Sequence, residues 1–193
     1  MKIPPFWSFN STLSNSAVDI QSMKLWHVSE TPGINLFEPR LPPSPDAGID
    51  YPVVWAIAES HLVNYLLPRD CPRIAIRRAP HSTESDIHYF FGAASAEVII
   101  YIEAPWLYQS LNTPVWLYEM PAESFACADT TAGYFVACQT VAPISARQID
   151  SPLSELLNRE VELRIVSRLR TMAETIKTSS LTFSIIRLRN ALP

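Results

Sequence analysis

The chain has 193 residues, of which 48% are hydrophobic and 18% are charged, the balance of a globular protein that buries a core. Its formal net charge of −4 provides no overall positive field, so we expect neither nucleic acid nor a membrane among its partners. The 4 glycines are widely dispersed, which excludes the glycine-rich loops that cradle phosphates in many nucleotide-binding proteins.

Cysteine and histidine spacing bears on compartment and metal binding. The 3 cysteines form no C-x-x-C pair, which indicates free thiols in a reducing compartment. The longest apolar runs, such as Val98 to Ile102, have the length of a strand, and the N-terminus has prolines where a secretory signal has an apolar stretch. We therefore expect a cytoplasmic protein, and the absence of ligand spacing predicts no metal site.

Taken along the chain, residues 1–22 are rich in Ser and Asn without a hydrophobic period, and we predict a flexible N-terminal arm. Residues 23–193 are predicted to form a single α+β domain, in which seven segments have the β-branched and aromatic composition of strands. The predicted strands are Leu25–Ser29, Val53–Ala58, Arg73–Arg78, Glu97–Glu103, Val115–Met120, Tyr134–Val141 and Val161–Val166.

Four short segments have a helical pattern, and Ser151-Pro152 is a good helix start, a capping hydroxyl followed by proline at the first helical position. Strands and short helices in mixed order favour an α+β fold over a regular alternation of strand and helix. The predicted helices are Glu59–Leu67, Trp106–Asn112, Leu153–Arg159 and Arg168–Lys177.

Two stretches are predicted to be long loops, the proline-rich Thr31–Tyr51 and the histidine-containing Ala79–Ser95. Loops of about 15 to 20 residues in a compact domain are often functional. We therefore look for a site around them.

The first candidate site lies at the end of the first predicted strand, where His27 is followed by Ser29 and Glu30. Strand alternation places His27 and Ser29 on one face. A histidine titrates near neutral pH, so this group can bind a polar ligand or transfer a proton, with Glu30 or Asp70 as the partner carboxylate. The alternative is a histidine that is hydrogen-bonded within the structure.

The second candidate is the turn that contains Arg69, Asp70, Cys71 and Arg73, in which two prolines restrict the backbone. The two guanidinium groups and the carboxylate form either a structural ion-pair cluster or an anion-binding site beside a pocket. Cys71 has cationic neighbours that can lower the pKa of a thiol, although no histidine is spaced to act as its base.

Other side chains are candidates for substrate binding or for structure. Trp55 and Tyr65 belong either to the core or to the floor of a pocket for a flat ligand. Arg40 is a further candidate for binding an anion or a carbonyl group. At the C-terminus, Arg187 and Arg189 project to one side if the segment is extended, and docking of this segment is the simpler interpretation.

These residues together resemble a family of small microbial proteins known only as a domain of unknown function, with the match running from about residue 24 to 191. The resemblance supplies no activity. The strings that carry it are LWHVSETPGINLFEPR (Leu25–Arg40), VVWAI (Val53–Ile57), LLPRDCPRIAI (Leu66–Ile76), ELRIV (Glu162–Val166) and SLTFSIIRLRNA (Ser180–Ala191).

A more distant resemblance is to the ADP-ribosyltransferase-like fold, which implies β-rich mixed sheets and short helices around a central cleft that binds NAD. By this resemblance His27 holds the nicotinamide ribose, Trp55 occupies the second-strand position and Tyr65 stacks on the ligand. The catalytic glutamate is expected where this chain has Tyr134. Tyrosine cannot supply the charge that steadies an oxocarbenium-like ribose.

The sequence contains three possible replacements for that glutamate, namely Glu119, Glu123 and Gln139, and no pattern selects one of them. The departure at Tyr134 therefore bears on the NAD chemistry more than on the fold.

Three functions are consistent with these observations. The favoured one is a cofactor-independent enzyme that modifies a small molecule by acid/base chemistry, namely cyclisation, isomerisation, elimination or hydrolysis. The second is an NAD-dependent ADP-ribosyltransferase with a displaced glutamate, and the third is a non-catalytic nucleotide- or metabolite-binding module. The oligomeric state is left open. The expected site has His27, Glu30 and Asp70 as catalytic residues, and Ser29, Arg40, Trp55, Tyr65, Arg69, Arg73 and Tyr134 as substrate-binding residues.

Overall fold

The computed structural model describes residues 23–42 and 48–193, so the predicted N-terminal arm lies outside the described residues. The described chain combines two β-sheets with short helices, which confirms the predicted mixed α+β class. The strands are β1 (Leu25–Ser29), β2 (Val54–Ala58), β3 (Arg73–Arg77), β4 (Val98–Glu103), β5 (Val115–Met120), β6 (Ala126–Asp129), β7 (Tyr134–Ala137), β8 (Ser145–Ile149), β9 (Val161–Val166) and β10 (Thr182–Ile186).

The first sheet has six strands in the order β6-β7-β2-β1-β5-β8, and each neighbouring pair is antiparallel. The second sheet has four strands in the order β10-β3-β4-β9, in which only β4 and β9 run parallel. All six residues of β4 are buried, as expected for a strand covered on both faces.

The described residues contain four α-helices and four 3-10 helices, which lie between the strands except for the last 3-10 helix, which follows β10. Ser151 caps its helix as predicted, because its side chain accepts a hydrogen bond from Ser154 N. The α-helices are α1 (Glu84–Phe91), α2 (Leu107–Asn112), α3 (Pro152–Asn158) and α4 (Leu169–Lys177), and the 3-10 helices are Glu59–Tyr65, Ala104–Trp106, Ala122–Ser124 and Leu188–Asn190.

The core is layered. One buried cluster draws on both sheets, with Leu117 of the first and Ile100 of the second, so the sheets pack face to face. A second cluster covers the outer face of the first sheet, where Phe37 packs with Tyr118. A third places α1 and α4 against the outer face of the second sheet. The result is a stack of four layers: a loop, two sheets and a pair of helices.

One sequence prediction about local structure is wrong. The stretch Ala79–Ser95 is not one long loop, because it contains α1, which Thr83 caps by accepting a hydrogen bond from Asp86 N and which ends at Gly92 with a positive φ of 55°. The C-terminal segment is not extended beyond β10. Arg187 has left-handed backbone dihedrals, and Leu188–Asn190 form a 3-10 turn.

Within the described residues, no helix is both long enough and apolar enough to cross a membrane.

Candidate functional site

The two central strands of the first sheet separate where the site begins. The described pairing of β1 with β2 covers two positions, Leu25 with Ala58 and Trp26 with Ile57. At the next residue of β1, the contact to β2 is made by the His27 imidazole, which is hydrogen-bonded to the carbonyl of Trp55, and not by a further backbone pair. The strands therefore form a fork, and a side chain fills the space between them.

His27 is held by one hydrogen bond and one ring contact. Its Nδ1 lies 2.8 Å from the carbonyl oxygen of Trp55, and its ring centroid lies 4.5 Å from that of Phe37. Because a carbonyl can only accept, Nδ1 carries the proton and donates it. The neutral tautomer therefore leaves the lone pair on Nε2, where it can accept a proton or a hydrogen bond from a ligand.

The surroundings of His27 also favour this neutral form. Burial lowers the pKa of the imidazole, the bond to Trp55 opposes this effect, and the positive charge of Arg69 adds to it. The net direction is downward from the ordinary value of 6.5. At neutral pH the ring is uncharged and able to act as a base.

Three aromatic side chains lie on neighbouring elements, on the face of the first sheet opposite to His27: Tyr65 and Tyr134 pack against the cluster between the sheets, whereas the His27 ring contacts Phe37 of the outer cluster. The rings of Trp55 on β2 and Tyr134 on β7 meet edge to face at 5.7 Å, because these strands pair and both residues face the same way. The hydroxyl of Tyr134 is hydrogen-bonded to that of Tyr65, which lies on the 3-10 helix after β2. Burial and the neighbouring Tyr134 raise the pKa of Tyr65, so the Tyr65 hydroxyl is neutral. One hydroxyl of the pair donates to the other, which leaves one O–H able to donate elsewhere.

Arg73 lies below this pair. Its side chain is buried, with 2% of the residue exposed, and its guanidinium carbon is 5.7 Å from the centroid of the Tyr65 ring. Nε donates to Asn64 O at 2.6 Å, while Nη1 donates to Pro68 O and Cys71 O at 2.9 and 2.8 Å. None of the ion pairs among residues 23–42 and 48–193 includes Arg73.

Glu30 and Asp70, the carboxylates predicted to assist His27, have other partners. Glu30 accepts a hydrogen bond from the backbone N–H of Arg69 at 2.8 Å, which joins the end of β1 to the turn that contains Arg69 and Asp70. Asp70 is exposed, and its carboxylate lies 3.8 Å from Arg187. The structure thus brings Glu30 into the same neighbourhood as His27 but directs Asp70 toward the C-terminal segment.

Ser29 and Arg40 have structural contacts. The hydroxyl of Ser29 accepts a hydrogen bond from Thr31 N and ends β1. Arg40 forms a two-bond backbone bridge with Val53, the residue before β2, and its side chain is exposed. Neither side chain is joined to the His27 group by a described hydrogen bond.

The thiol of Cys71 does not fit a nucleophile. Cys71 is fully buried, and burial raises the pKa of its thiol more than the nearby Arg73 lowers it. The suggestion from sequence that its cationic neighbours activate this cysteine is therefore wrong.

The possible replacements for a catalytic glutamate lie on other elements. Glu119 on β5 accepts a hydrogen bond from Ser145 at 3.0 Å, Glu123 is exposed in a 3-10 helix, and Gln139 is exposed beyond β7. No described hydrogen bond joins any of these three to His27 or Tyr134. The described residues also contain no cluster of three or more His, Cys, Asp or Glu side chains placed to hold a metal ion.

Sequence reasoning undervalued Arg187. The guanidinium lies beside the turn that contains Arg69 and Asp70, where its Nε donates to Arg69 O at 3.3 Å. A signal was present in the sequence, because Arg187 and Arg189 directly follow an apolar strand-like run. Their position relative to residue 69 depends on the pairing of β10 with β3.

The fold and this site describe a mixed α+β protein with two sheets, a histidine hydrogen-bonded at the fork and a separate group of tyrosine and arginine side chains. The sequence model of a family of unknown function (DUF6886) matches residues 26–191, and the chain belongs to that family. This confirms the resemblance inferred from the motifs between residues 24 and 191. The chain matches no curated protein and no solved structure, and none of these comparisons supports the resemblance to ADP-ribosyltransferases.

Proposed function

We propose that the protein is an enzyme that modifies a small organic molecule by proton transfer, with His27 as the base. The observation that carries this proposal is the hydrogen bond from His27 Nδ1 to the Trp55 carbonyl, which leaves Nε2 as the acceptor. Burial keeps the imidazole neutral near pH 7, the state in which it can remove a proton.

Side chains of β2, β7 and the 3-10 helix are the candidates for the other parts of such a reaction. One hydroxyl of the Tyr65–Tyr134 pair donates to the other, which leaves one O–H for a carbonyl or hydroxyl oxygen, and the Trp55 ring offers an apolar surface for a flat ligand. Arg69 contributes positive charge on the side of Glu30. Cyclisation, isomerisation, elimination and hydrolysis are the reaction classes that need this combination of base, donor and cation.

NAD-dependent transfer is the second candidate, and the order of the strands favours it. His27, Trp55 and Tyr134 lie on β1, β2 and β7, which are neighbours in the sheet, as the ADP-ribosyltransferase resemblance implies for a cleft at the fork. The hydroxyl of Tyr134 is occupied by Tyr65, and no carboxylate is hydrogen-bonded to this group among the described residues. This arrangement favours binding of a nucleotide over transfer of its ribose, which is also what a non-catalytic binding module would do.

The test compares wild-type protein with His27→Gln and with His88→Gln, the matched control that replaces an exposed histidine of α1. Each is incubated with pooled small metabolites, and consumption is followed by mass spectrometry. We expect wild type and His88→Gln to convert the same compound, and His27→Gln to convert it roughly 100-fold more slowly. Conversion by His27→Gln at the wild-type rate would show that His27 is not the base.

Incubation with NAD separates the two enzymatic candidates. We expect no release of nicotinamide by wild-type protein, since the carboxylate that ribosyl transfer needs is missing from the described cluster. Release of nicotinamide that depends on His27 would favour the transferase. A rise in melting temperature with NAD or ADP-ribose, without turnover of any compound, would favour the binding module.

A further inference from the structure

Four arginines lie on two segments that contact each other, the turn after the Glu59–Tyr65 helix and the C-terminal segment, which are joined by bonds from Arg187 and Asn190 to the backbone of residues 69 and 70. Arg69, Arg73, Arg187 and Arg189, which we call the arginine cluster, influence one another electrostatically: Arg187 has its pKa lowered by burial first and then by Arg189 and Arg69. Like charges at short range repel unless an anion separates them. The cluster is concentrated positive charge in a protein whose net charge is −4.

The carboxylates nearby neutralise little of this charge. Asp70 lies 3.8 Å from Arg187, at the edge of ion-pair distance, and its side chain is 69% exposed. Glu30 accepts its described hydrogen bond from a backbone N–H. Even if both carboxylates are counted as full negative charges, the positive charge of the four arginines exceeds theirs.

Arg73 has donor capacity left over. Its three described hydrogen bonds use Nε and Nη1, and Nη2 makes none with any described residue. The side chain is buried beneath Tyr65, and Arg187 lies close enough to influence its charge. A buried guanidinium with an unused nitrogen and no acidic partner is a strong site for an oxyanion.

The backbone at Arg187 is strained in a way that positions its side chain. Its φ of 55° and ψ of 29° lie in the left-handed region, which arginine rarely adopts. The side chain that results is only 17% exposed and is directed at the turn of residues 69 and 70. A glycine would adopt this backbone without strain, so the presence of arginine indicates that its side chain is needed at this position.

The C-terminal segment is braced on both sides of this turn. Asn190 Nδ2 donates to Asp70 O at 2.8 Å, and Glu103, which is fully buried, accepts hydrogen bonds from Leu192 N and Leu169 N at 2.9 Å each. Such bracing holds Arg187 in one position before a ligand arrives, which is what precise binding requires.

We propose that Arg69, Arg73 and Arg187 bind a phosphate group of the substrate, so that the molecule on which His27 acts is a phosphorylated small molecule. This inference rests on the proposed function for the role of His27, but the phosphate site itself does not. Phosphate matches the cluster better than a carboxylate, because it carries up to two negative charges and three acceptor oxygens for several guanidinium groups. Arg187 donates to Arg69 O, and Arg69 N donates to Glu30 at the end of β1, so the turn that carries the proposed phosphate site is joined to the strand that carries His27.

The test is an NMR titration of the intact protein with inorganic phosphate, with succinate as a dicarboxylate of similar charge, both at constant ionic strength. We expect wild-type protein to bind phosphate with a Kd of about 1 mM and to bind succinate at least about tenfold more weakly. Arg187→Gly removes the guanidinium at a position where glycine is unstrained, so it should fold normally while binding phosphate at least about tenfold more weakly. Arg69→Gln should weaken binding in the same way.

Two controls complete the experiment. Lys177→Gln removes one positive charge at the far end of α4, where the lysine is paired with Glu174, and it should leave phosphate binding unchanged. His27→Gln should bind phosphate as wild type does, so loss of the proposed chemistry and loss of the phosphate site are separate results. The proposal is overturned if wild type does not bind phosphate, if succinate binds equally well, or if Lys177→Gln weakens binding as much as Arg187→Gly.

Discussion

Two groups of arginines in this protein face opposite circumstances. At the edge of α3, Arg159 donates to Glu59 at 2.6 Å and to Glu155 at 2.9 Å, and Arg147 donates to Glu155 at 3.2 Å. This salt-bridge network also binds the indole N–H of Trp26 through Glu59. In the arginine cluster, by contrast, the guanidinium groups of Arg73 and Arg187 donate mainly to backbone carbonyl oxygens, including that of Arg69.

The pKa shifts of the two groups run in opposite directions. Burial lowers the pKa of Arg159, but its bonds to Glu59 and Glu155 outweigh burial and raise it. Burial also lowers the pKa of Arg187, and there the neighbouring Arg189 and Arg69 lower it further. The salt-bridge network is thus satisfied within the protein, whereas the arginine cluster has few acidic partners among the described residues and is proposed to bind an anion. Four predictions test this contrast.

The largest effect is expected from Arg73→Ala. The substitution leaves the carbonyls of Asn64, Pro68 and Cys71 without their buried donor and opens a cavity under Tyr65. We expect a loss of about 3 to 5 kcal/mol in the free energy of unfolding, measured by urea denaturation. Arg73→Met fills the cavity and should recover part of the loss. A loss below about 1 kcal/mol for Arg73→Ala would mean that these bonds do not hold the turn.

Arg159→Ala should be the next largest, because it removes both charged bonds that join α3 to the 3-10 helix at Glu59. We expect a loss of about 2 kcal/mol that shrinks in 1 M salt, since the network is partly exposed. Lys177→Ala, which breaks an exposed pair with Glu174, is the control and should cost at most about 0.5 kcal/mol. Equal losses for both variants would erase the distinction between a network and an isolated surface pair.

Arg187→Gly should leave the free energy of unfolding within about 1 kcal/mol of wild type, since relief of the left-handed strain offsets the loss of weak contacts to Arg69 and Asp70. Calorimetric melting without added anions is the measurement. A large loss of stability would place Arg187 with the structural arginines.

The smallest effect concerns the protonation of His27. Its pKa is lowered in the folded state by burial and, to a lesser degree, by Arg69, so the unfolded chain binds protons more readily below about pH 6.5. Stability contributed by the neutral ring is present above that pH and is lost as the pH falls toward the folded pKa. Unfolding measured between pH 5 and 8 should show this decline.

Three variants separate the contributions of the two histidines and of Arg69 to this pH dependence. His27→Gln should flatten the decline in part, and His61→Gln should flatten the remainder, because burial lowers the pKa of His61 as well. Arg69→Gln should raise the pKa of His27 in an NMR titration. A His27 pKa that does not move on loss of Arg69 would show that the arginine cluster and the base do not influence each other.

Local sequence signals predicted much of the fold. The runs of β-branched and aromatic residues at β1, β5 and β9 predicted strands with the same bounds as those observed. Strands were missed where these signals fail: β6 and β8 are edge strands with mostly exposed residues, and their polar, small side chains carry no alternation. The strand β10 was missed although its sequence, TFSII, has strand composition.

The candidate site divides in the same way. His27 at a strand end and Arg69 with Arg73 in a proline-bounded turn were identifiable from neighbouring residues alone. The pairing of Asp70 with Arg187 was not identifiable from the sequence. Arg187 also bonds the carbonyl of Arg69, 118 positions away in the sequence. Only the pairing of β10 with β3 sets that contact, and sequence spacing carries no information about it.

The buried carboxylate of Glu103 sets an order in which a newly made chain can acquire its ligand site. Synthesis proceeds from the N-terminus at about 5–20 residues per second, so His27 and Arg69 emerge from the ribosome long before the C-terminal segment. The Leu192 amide that Glu103 binds follows 89 positions later. The segment that carries Arg187 can therefore be fixed in place only after Leu192 has been translated, whereas His27 and Arg69 are present much earlier.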